Sequence, residues 1–240
     1  MRIFLAGASG VVGRRLLPLL LGGGYQVIGT TRSPEKAAEL RSAGITPAIV
    51  DVFDAVALRR AVLDARPDVV IHQLTDLPRA FDPKRLAEAY LKNARIRMEG
   101  TRNLIAAAQA ASARRLIVQS VAFGYGAGSS PHRETDQLDV AEGPRAVTMR
   151  AVAAMEQQAL GAHRLESIVL RYGLFYGPGT WFEAADRKPS LHVDAAAHAA
   201  YLAVGLGSAG IYNVADEDGA VSIAKARAQL GFDPAFRLPA

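Results

Sequence analysis

Arg2-Ile-Phe-Leu-Ala6, followed by Gly7-Ala8-Ser9-Gly10-Val11-Val12-Gly13, decides the fold of this chain. An apolar strand runs into a glycine-spaced loop and then into an apolar helix. Gly7 permits a tight turn, and Gly10 lets a bound pyrophosphate approach the backbone with no Cβ in the way. Gly13 lets the helix sit close to the sheet. That helix turns its free N–H groups and the positive end of its dipole toward the phosphates. The spacing is G-x-x-G-x-x-G, whereas the standard fingerprint is G-x-G-x-x-G. Its place between a strand pattern and a helix pattern still marks it as the first βα unit of a dinucleotide-binding fold, with residues 7–13 as its phosphate loop.

Working outward, apolar strand-like runs fall at 2–6, 25–30, 46–50, 69–74, 115–119, 167–171 and 211–214, with helical patterns between them. Ser33-Pro34-Glu35 opens one helix with an N-cap, a proline at the first position and an acid in the first turn. Gly44 closes it. Asp54 and Asp82-Pro83 start two more, and 83–111 reads as helix throughout, in two segments or one bent one. Repeated β–α alternation implies an α/β fold: a doubly wound parallel Rossmann sheet with helices on both faces. Residues 1–171 form its main body. Residues 172–240 read as a small C-terminal substrate lobe interleaved with the last Rossmann elements.

Composition narrows the function. The chain has 240 residues, half of them hydrophobic, enough for one such domain. It has no cysteine, which excludes disulfides, thiolate metal sites and a cysteine nucleophile, and fits a cytoplasmic location. The five histidines are dispersed, so no metal site is expected. The net charge of +5 invites a nucleic-acid reading, yet the basic residues are scattered, with no basic run or aromatic-interleaved patch. A phosphorylated cofactor or an anionic small-molecule substrate accounts for the excess. Arg14-Arg15-Leu16-Leu17-Pro18-Leu19-Leu20-Leu21 imitates a twin-arginine signal, but the apolar run is too short to cross a bilayer. It lies where the first helix must be, and Pro18 should kink that helix. No membrane partner is expected.

The end of the second strand chooses the cofactor. An NAD-specific unit usually has an acid there for the ribose 2′-hydroxyl. This chain has Thr31-Arg32-Ser33, and the Arg32 guanidinium can fork onto a 2′-phosphate. NADP is therefore favoured over NAD. Asp51-Val52, after the third strand, is placed beside the adenine. His72, within Val69-Val70-Ile71-His72-Gln73-Leu74, reads as a packed residue before it reads as a catalytic base.

With these segments in order, the chain resembles the extended and atypical short-chain dehydrogenase/reductases of the epimerase-like branch. The resemblance runs from the glycine loop through Asp51-Val52, Val69–Leu74, Glu99-Gly-Thr-Arg-Asn-Leu104 and Leu116-Ile-Val-Gln-Ser120. It continues in Leu170-Arg-Tyr-Gly-Leu-Phe-Tyr-Gly-Pro-Gly179, Leu191-His-Val-Asp194, Tyr212-Asn-Val214 and Ala224–Gly231. It implies cofactor contacts at Leu74 and at Arg171, the latter able to meet an anionic substrate instead. It also implies a Ser, a Tyr and a Lys, the last two as Y-x-x-x-K on the helix at 146–161. Ser120 matches the serine. Glu156 aligned with the acid that often follows that motif puts Thr148 at the Tyr position and Val152 at the Lys position, and neither can do that chemistry. Arg97 replaces an Asn that often precedes the Gly-Thr pair.

Two functions follow. One is an NADP-dependent oxidoreductase, a reductase, dehydrogenase or epimerase, acting on a small carbonyl or related substrate with a relocated proton donor. Tyr125 is the preferred donor, ahead of Tyr172, Tyr176 and His132, with Ser120 as electrophilic partner. The other is a non-catalytic NADP(H)-binding redox sensor or regulatory module. The C-terminal lobe is short for the resembled family, around Glu183–Lys188 and Asp216–Asp218. Either a lid is truly lost, or flexible segments are missing from the sequence. Trp181 and Phe182 suggest an apolar wall. The Ala-rich helices of 83–111 and 146–161 suit a homodimer bundle.

Overall fold

The computed structural model describes residues 1–78, 80–143 and 145–239. Seven strands form one sheet: β1 (Arg2–Ala6), β2 (Gln26–Thr31), β3 (Thr46–Ile49), β4 (Val69–His72), β5 (Arg115–Val121), β6 (Glu166–Tyr172) and, late in the chain, β9 (Gly210–Val214). All neighbouring pairs are parallel, in the order β3-β2-β1-β4-β5-β6-β9. The strand order reverses between β1 and β4, and ligands bind above such a switch point at the carboxyl ends of the strands. The short strands β7 (Leu174–Tyr176) and β8 (Ser190–His192) pair apart from this sheet.

The sheet strands are apolar on both sides because helices cover both faces. On one face Ile3, Leu5, Ile71, Ile117, Ile168 and Leu170 pack with α1 (Val11–Gly22) and α7 (Val193–Gly205). On the other, Phe4, Val70, Leu116, Val118 and Val169 meet α3 (Ala55–Ala65), α5 (Thr101–Ala110) and α6 (Ala146–Leu160). The remaining helices are α2 (Pro34–Ser42), α4 (Pro83–Arg95) and α8 (Ala224–Leu230).

The local signals sit where the sequence puts them. Ser33 accepts from Lys36 N at 3.2 Å, Asp54 from Ala57 N at 2.9 Å and Asp82 from Lys84 N at 3.0 Å, each capping the helix that follows. Gly44 has φ +79° just past α2. Helix α1 continues through Pro18, which lies on its exposed side. The helical stretch from 83 widens into a π-helical turn, Ile96–Gly100, before continuing as α5. From the expected C-terminal lobe, β9 and α7 belong to the main sheet layers. In the short stretches at 183–191 and 218–223, Asp186 N donates to Ala184 O at 3.1 Å, and Ser190 N donates to Asp218 Oδ2 at 2.8 Å, tying one stretch to the other. No helix among the described residues is long and apolar enough to cross a membrane.

Candidate functional site

The site begins at the glycine loop. Gly7 has φ +94°, and a Cβ there would lie 2.4 Å from the carbonyl oxygen of Gln73. Only glycine allows the loop to leave β1 hard against the end of β4. A Cβ on Gly13 would lie 2.3 Å from Gly7 O, so α1 is seated on the loop itself. Gly10 N donates to Gly7 O at 3.0 Å, and Gly7 N to Thr30 Oγ1 at 3.2 Å. Gly10 is the N-cap of α1 and no side chain caps that end. A capless helix N-terminus above a switch point fits a dinucleotide pyrophosphate.

Around this loop stand the other expected cofactor contacts. Arg32 follows β2 and is exposed, with Nη2 3.6 Å from Asp76 Oδ2. Asp51 turns one carboxylate oxygen back to Phe53 N at 2.9 Å, and Val52 is buried with its carbonyl held by Asn103. Leu74 is half-buried and its carbonyl accepts from Gln119 at 3.0 Å. Beneath it His72 is 1% exposed. Leu74 N donates to its Nδ1, so the proton sits on Nε2 and goes to Thr101 Oγ1 at 3.0 Å. Burial pushes the pKa of His72 down to about 4, helped by the positive charge of Arg97. His72 is the packed, neutral residue that its strand context suggests.

Toward the substrate end, register builds a buried polar cluster. Ser120, Arg171 and Asn213 are paired side by side across β5, β6 and β9, so they share one face. Helix α6 lays Glu156 over them. Ser120 Oγ donates to Glu156 Oε1 at 2.6 Å, and Arg171 holds both carboxylate oxygens, at 2.9 and 2.6 Å. Arg171 Nη1 reaches Tyr125 OH at 2.9 Å and Glu134 O at 3.3 Å. Tyr125 OH in turn donates to Asn213 Oδ1 at 2.5 Å. Burial lifts the Tyr125 phenol above its ordinary pKa, although Arg171 and Asn213 work against it.

This cluster changes two expectations. Arg171 does not stand free for a cofactor or an anionic substrate, because every nitrogen of its guanidinium already donates within the protein. Ser120 and Tyr125 are brought into one network, yet each spends its single O–H on a protein acceptor. The family resemblance carried the signal for Ser120, and the structure places it on the same α6-facing side of β5 as Leu116 and Val118. The other candidates are engaged too. Tyr172 OH accepts from Gln73, His132 stacks on Tyr125 and bonds Asp136, and Tyr176 OH accepts from Arg237.

On α6, Val152 is fully buried with Met149 and Val121 in a small apolar cluster, and Thr148 is half-buried beside them in the chain. Trp181 donates to Pro78 O at 2.8 Å, and Phe81 packs edge-on to Trp181 and tilted on Phe182. This aromatic group ties the loop after β4 to the loop after β7. It was legible only as two candidate wall residues, because Phe81 lies far away in sequence. Among the described residues no group of acids and histidines could hold a metal ion.

The model of the NAD dependent epimerase/dehydratase family matches residues 3–215. A Streptomyces protein named 3-diazoavenalumate denitrifying reductase is 36% identical over 265 residues, covering 100% of this chain and 85% of its own length. That alignment is longer than the 240 residues of this chain, so the relative carries additional residues inside the matched span. The UDP-glucose 4-epimerase of Thermotoga maritima, solved with UDP-glucose, superposes with a TM-score of 0.80 at 18% identity, over 99% of this chain and 94% of its own. The Thermus thermophilus UDP-glucose 4-epimerase, solved with NAD, gives 0.76 at 20% identity, over 99% and 95%. These structures share the fold.

Proposed function

The chain belongs to the NAD dependent epimerase/dehydratase family, and on that premise we propose that it is an NADP-dependent reductase of a small, already electrophilic substrate. Its reduction draws a hydride from the cofactor and no proton from a protein side chain. The observation that carries this reading is the buried apolar cluster that Met149 and Val152 form with Val121, on the helix where the resembled enzymes keep their Tyr and Lys. The hydroxyls of Ser120 and Tyr125 do not replace that pair. They position β5, β6, β9 and α6 around the substrate end through Glu156, Arg171 and Asn213.

The cofactor is held by the chain's own residues in this reading. The 7–13 loop and the N-terminus of α1 take the pyrophosphate, Asp51 and Val52 border the adenine, and Leu74 lies under the nicotinamide half. Arg32 takes the 2′-phosphate, which favours NADP over NAD. When bound, the reduced nicotinamide supplies a hydride. The Streptomyces relative's name points to a diazo substrate that loses its nitrogen. On an arenediazonium carbon the hydride forms a C–H bond, while the C–N bond breaks and its electron pair leaves with N2. That balance consumes no proton, so it suits a site without a Tyr–Lys pair. The aromatic group of Phe81, Trp181 and Phe182 gives such a ring an apolar wall.

The test is turnover of NADPH and NADH against an arenediazonium salt and a panel of aldehydes and imines, with enzyme-free controls. NADPH carrying deuterium in the transferred position should place deuterium on the arene carbon. The expected result is turnover of the diazonium with NADPH preferred. Tight NADPH binding with no turnover of any substrate would overturn the reductase reading.

A further inference from the structure

Among the described residues, Arg97 is a cation without an ion-pair partner. It sits on the π-helical turn between α4 and α5, and that turn packs against α6. Thr101, the residue after the turn, bonds the ring of His72, the last residue of β4, at 3.0 Å. The turn therefore lies at the carboxyl edge of the sheet, packed against the helix that carries Val152. Nη1 is wholly buried, and among the described residues no group accepts from it. Burial, with no carboxylate beside it, lowers the Arg97 pKa to about 10. A largely buried guanidinium with one enclosed, unused nitrogen is costly to the fold unless something else supplies the acceptor. A second orphan lies on the neighbouring residue of His72. Gln73, 4% exposed, has its Oε1 buried without a donor while its Nε2 is held by Tyr172.

We propose that Arg97 binds the nicotinamide half of the dinucleotide, its unused N–H taken up by a ribose oxygen, and supplies from the π-helical turn the cation that α6 lacks. This rests on the reading of the site as a nicotinamide-cofactor crevice. The widened turn matters because it shifts the side-chain positions of one helix relative to α6. Arginine suits the place because it stays charged where a buried lysine would shed its proton.

The experiment pairs stability with half-cofactor binding in the full chain. Arg97→Met removes the buried charge and its N–H donors at similar bulk, and Arg97→Lys restores an N–H donor. For Arg97→Met, the melting temperature without cofactor should equal or exceed that of the natural chain. NADPH affinity should fall by about tenfold or more, as for loss of a charged hydrogen bond. Affinity for adenosine 2′,5′-bisphosphate, which lacks the nicotinamide half, should be unchanged. Arg97→Lys should recover part of the NADPH affinity. Unchanged NADPH affinity in Arg97→Met overturns the proposal, and so does a lowered melting temperature with both ligands weakened alike. If adenosine 2′,5′-bisphosphate fails to bind while ADP binds, the NADP reading falls. Arg97 is then judged by the same contrast between NADH and ADP.

Discussion

Arg171 Nη2 lies 2.6 Å from Glu156 Oε2, and the two side chains are only 4% and 6% exposed. A buried pair of this kind is worth little beyond an apolar replacement, yet breaking it is expensive. Arg171 keeps its proton because Glu156 more than offsets the penalty of burial, and its pKa stands above the ordinary value. Glu156→Gln leaves the guanidinium enclosed without a counter-charge. Stability to urea should fall by about 3–5 kcal/mol. Combining Glu156→Met with Arg171→Met should cost less than the single change, since no charge is then stranded. A single variant with unchanged midpoint would show that the pair is not enclosed in solution.

The buried His72 makes stability depend on pH. Its ordinary pKa is 6.5 and in the fold it is about 4, so the unfolded chain takes up a proton first. The native state therefore gains full benefit above pH 6.5 and loses it as pH falls toward 4. The loss is on the order of 3 kcal/mol if no other group compensates. His72→Gln should flatten this limb of the stability–pH curve measured by chemical denaturation. A curve equally steep in the variant would place the titration on another group.

Much of this was legible because two signals coincide along most of the chain. The run 115–119, apolar with Gly/Ser-rich sequence after it, gives both β5 and the site-bearing loop. Alternation with capped helices, Ser33, Asp54 and Asp82 among the caps, leaves only a parallel sheet. The strands β7 and β8 were not legible, since three residues each carry no period. The partner of Ser120 was not legible either. Glu156 lies on α6, and only the side-by-side register of Ser120, Arg171 and Asn213 shows that the hydroxyl points at it. Arg97 looked like a substituted Asn in sequence, but its burial without an acceptor depends on the π-helical turn and on α6 together.

Gly13 offers a separation of fold from cofactor binding. A methyl group there would press on Gly7 O and Ala8 O, at 2.3 and 2.6 Å, both of them loop backbone. The helical φ of Gly13 suits alanine, so the strain falls on the loop alone. Gly13→Ala should weaken NADPH by at least about tenfold while costing only about 1–3 kcal/mol of stability, as overpacking does. Intact affinity in this variant would mean that the loop does not cradle the pyrophosphate.

Val152→Lys tests whether the missing lysine can simply be returned. Val152 has no exposed surface and packs with Met149 and Val121. A lysine there must either lose its proton or open the cluster. The double change Thr148→Tyr with Val152→Lys should therefore lower stability by about 2–5 kcal/mol and bring no aldehyde reduction. Recovery of aldehyde turnover would show that the pocket admits the pair, and that the apolar cluster does not define the chemistry.

Arg32 carries the choice between NADP and NAD, and its exposure sets how that choice behaves. Its side chain is 60% exposed and only loosely paired with Asp76, at 3.6 Å. It can turn to a 2′-phosphate without abandoning a strong internal partner. Arg32→Ala should weaken NADPH by about tenfold, the scale of a charged hydrogen bond, and leave NADH nearly unchanged. Because the contact is at the surface, the preference of the natural chain should shrink as salt is raised from about 0.01 M to 1 M, where the screening length falls from ~30 Å to ~3 Å. Titrations of both cofactors across that range check the two statements together. A preference that ignores salt and survives Arg32→Ala would move the 2′-phosphate site away from the end of β2.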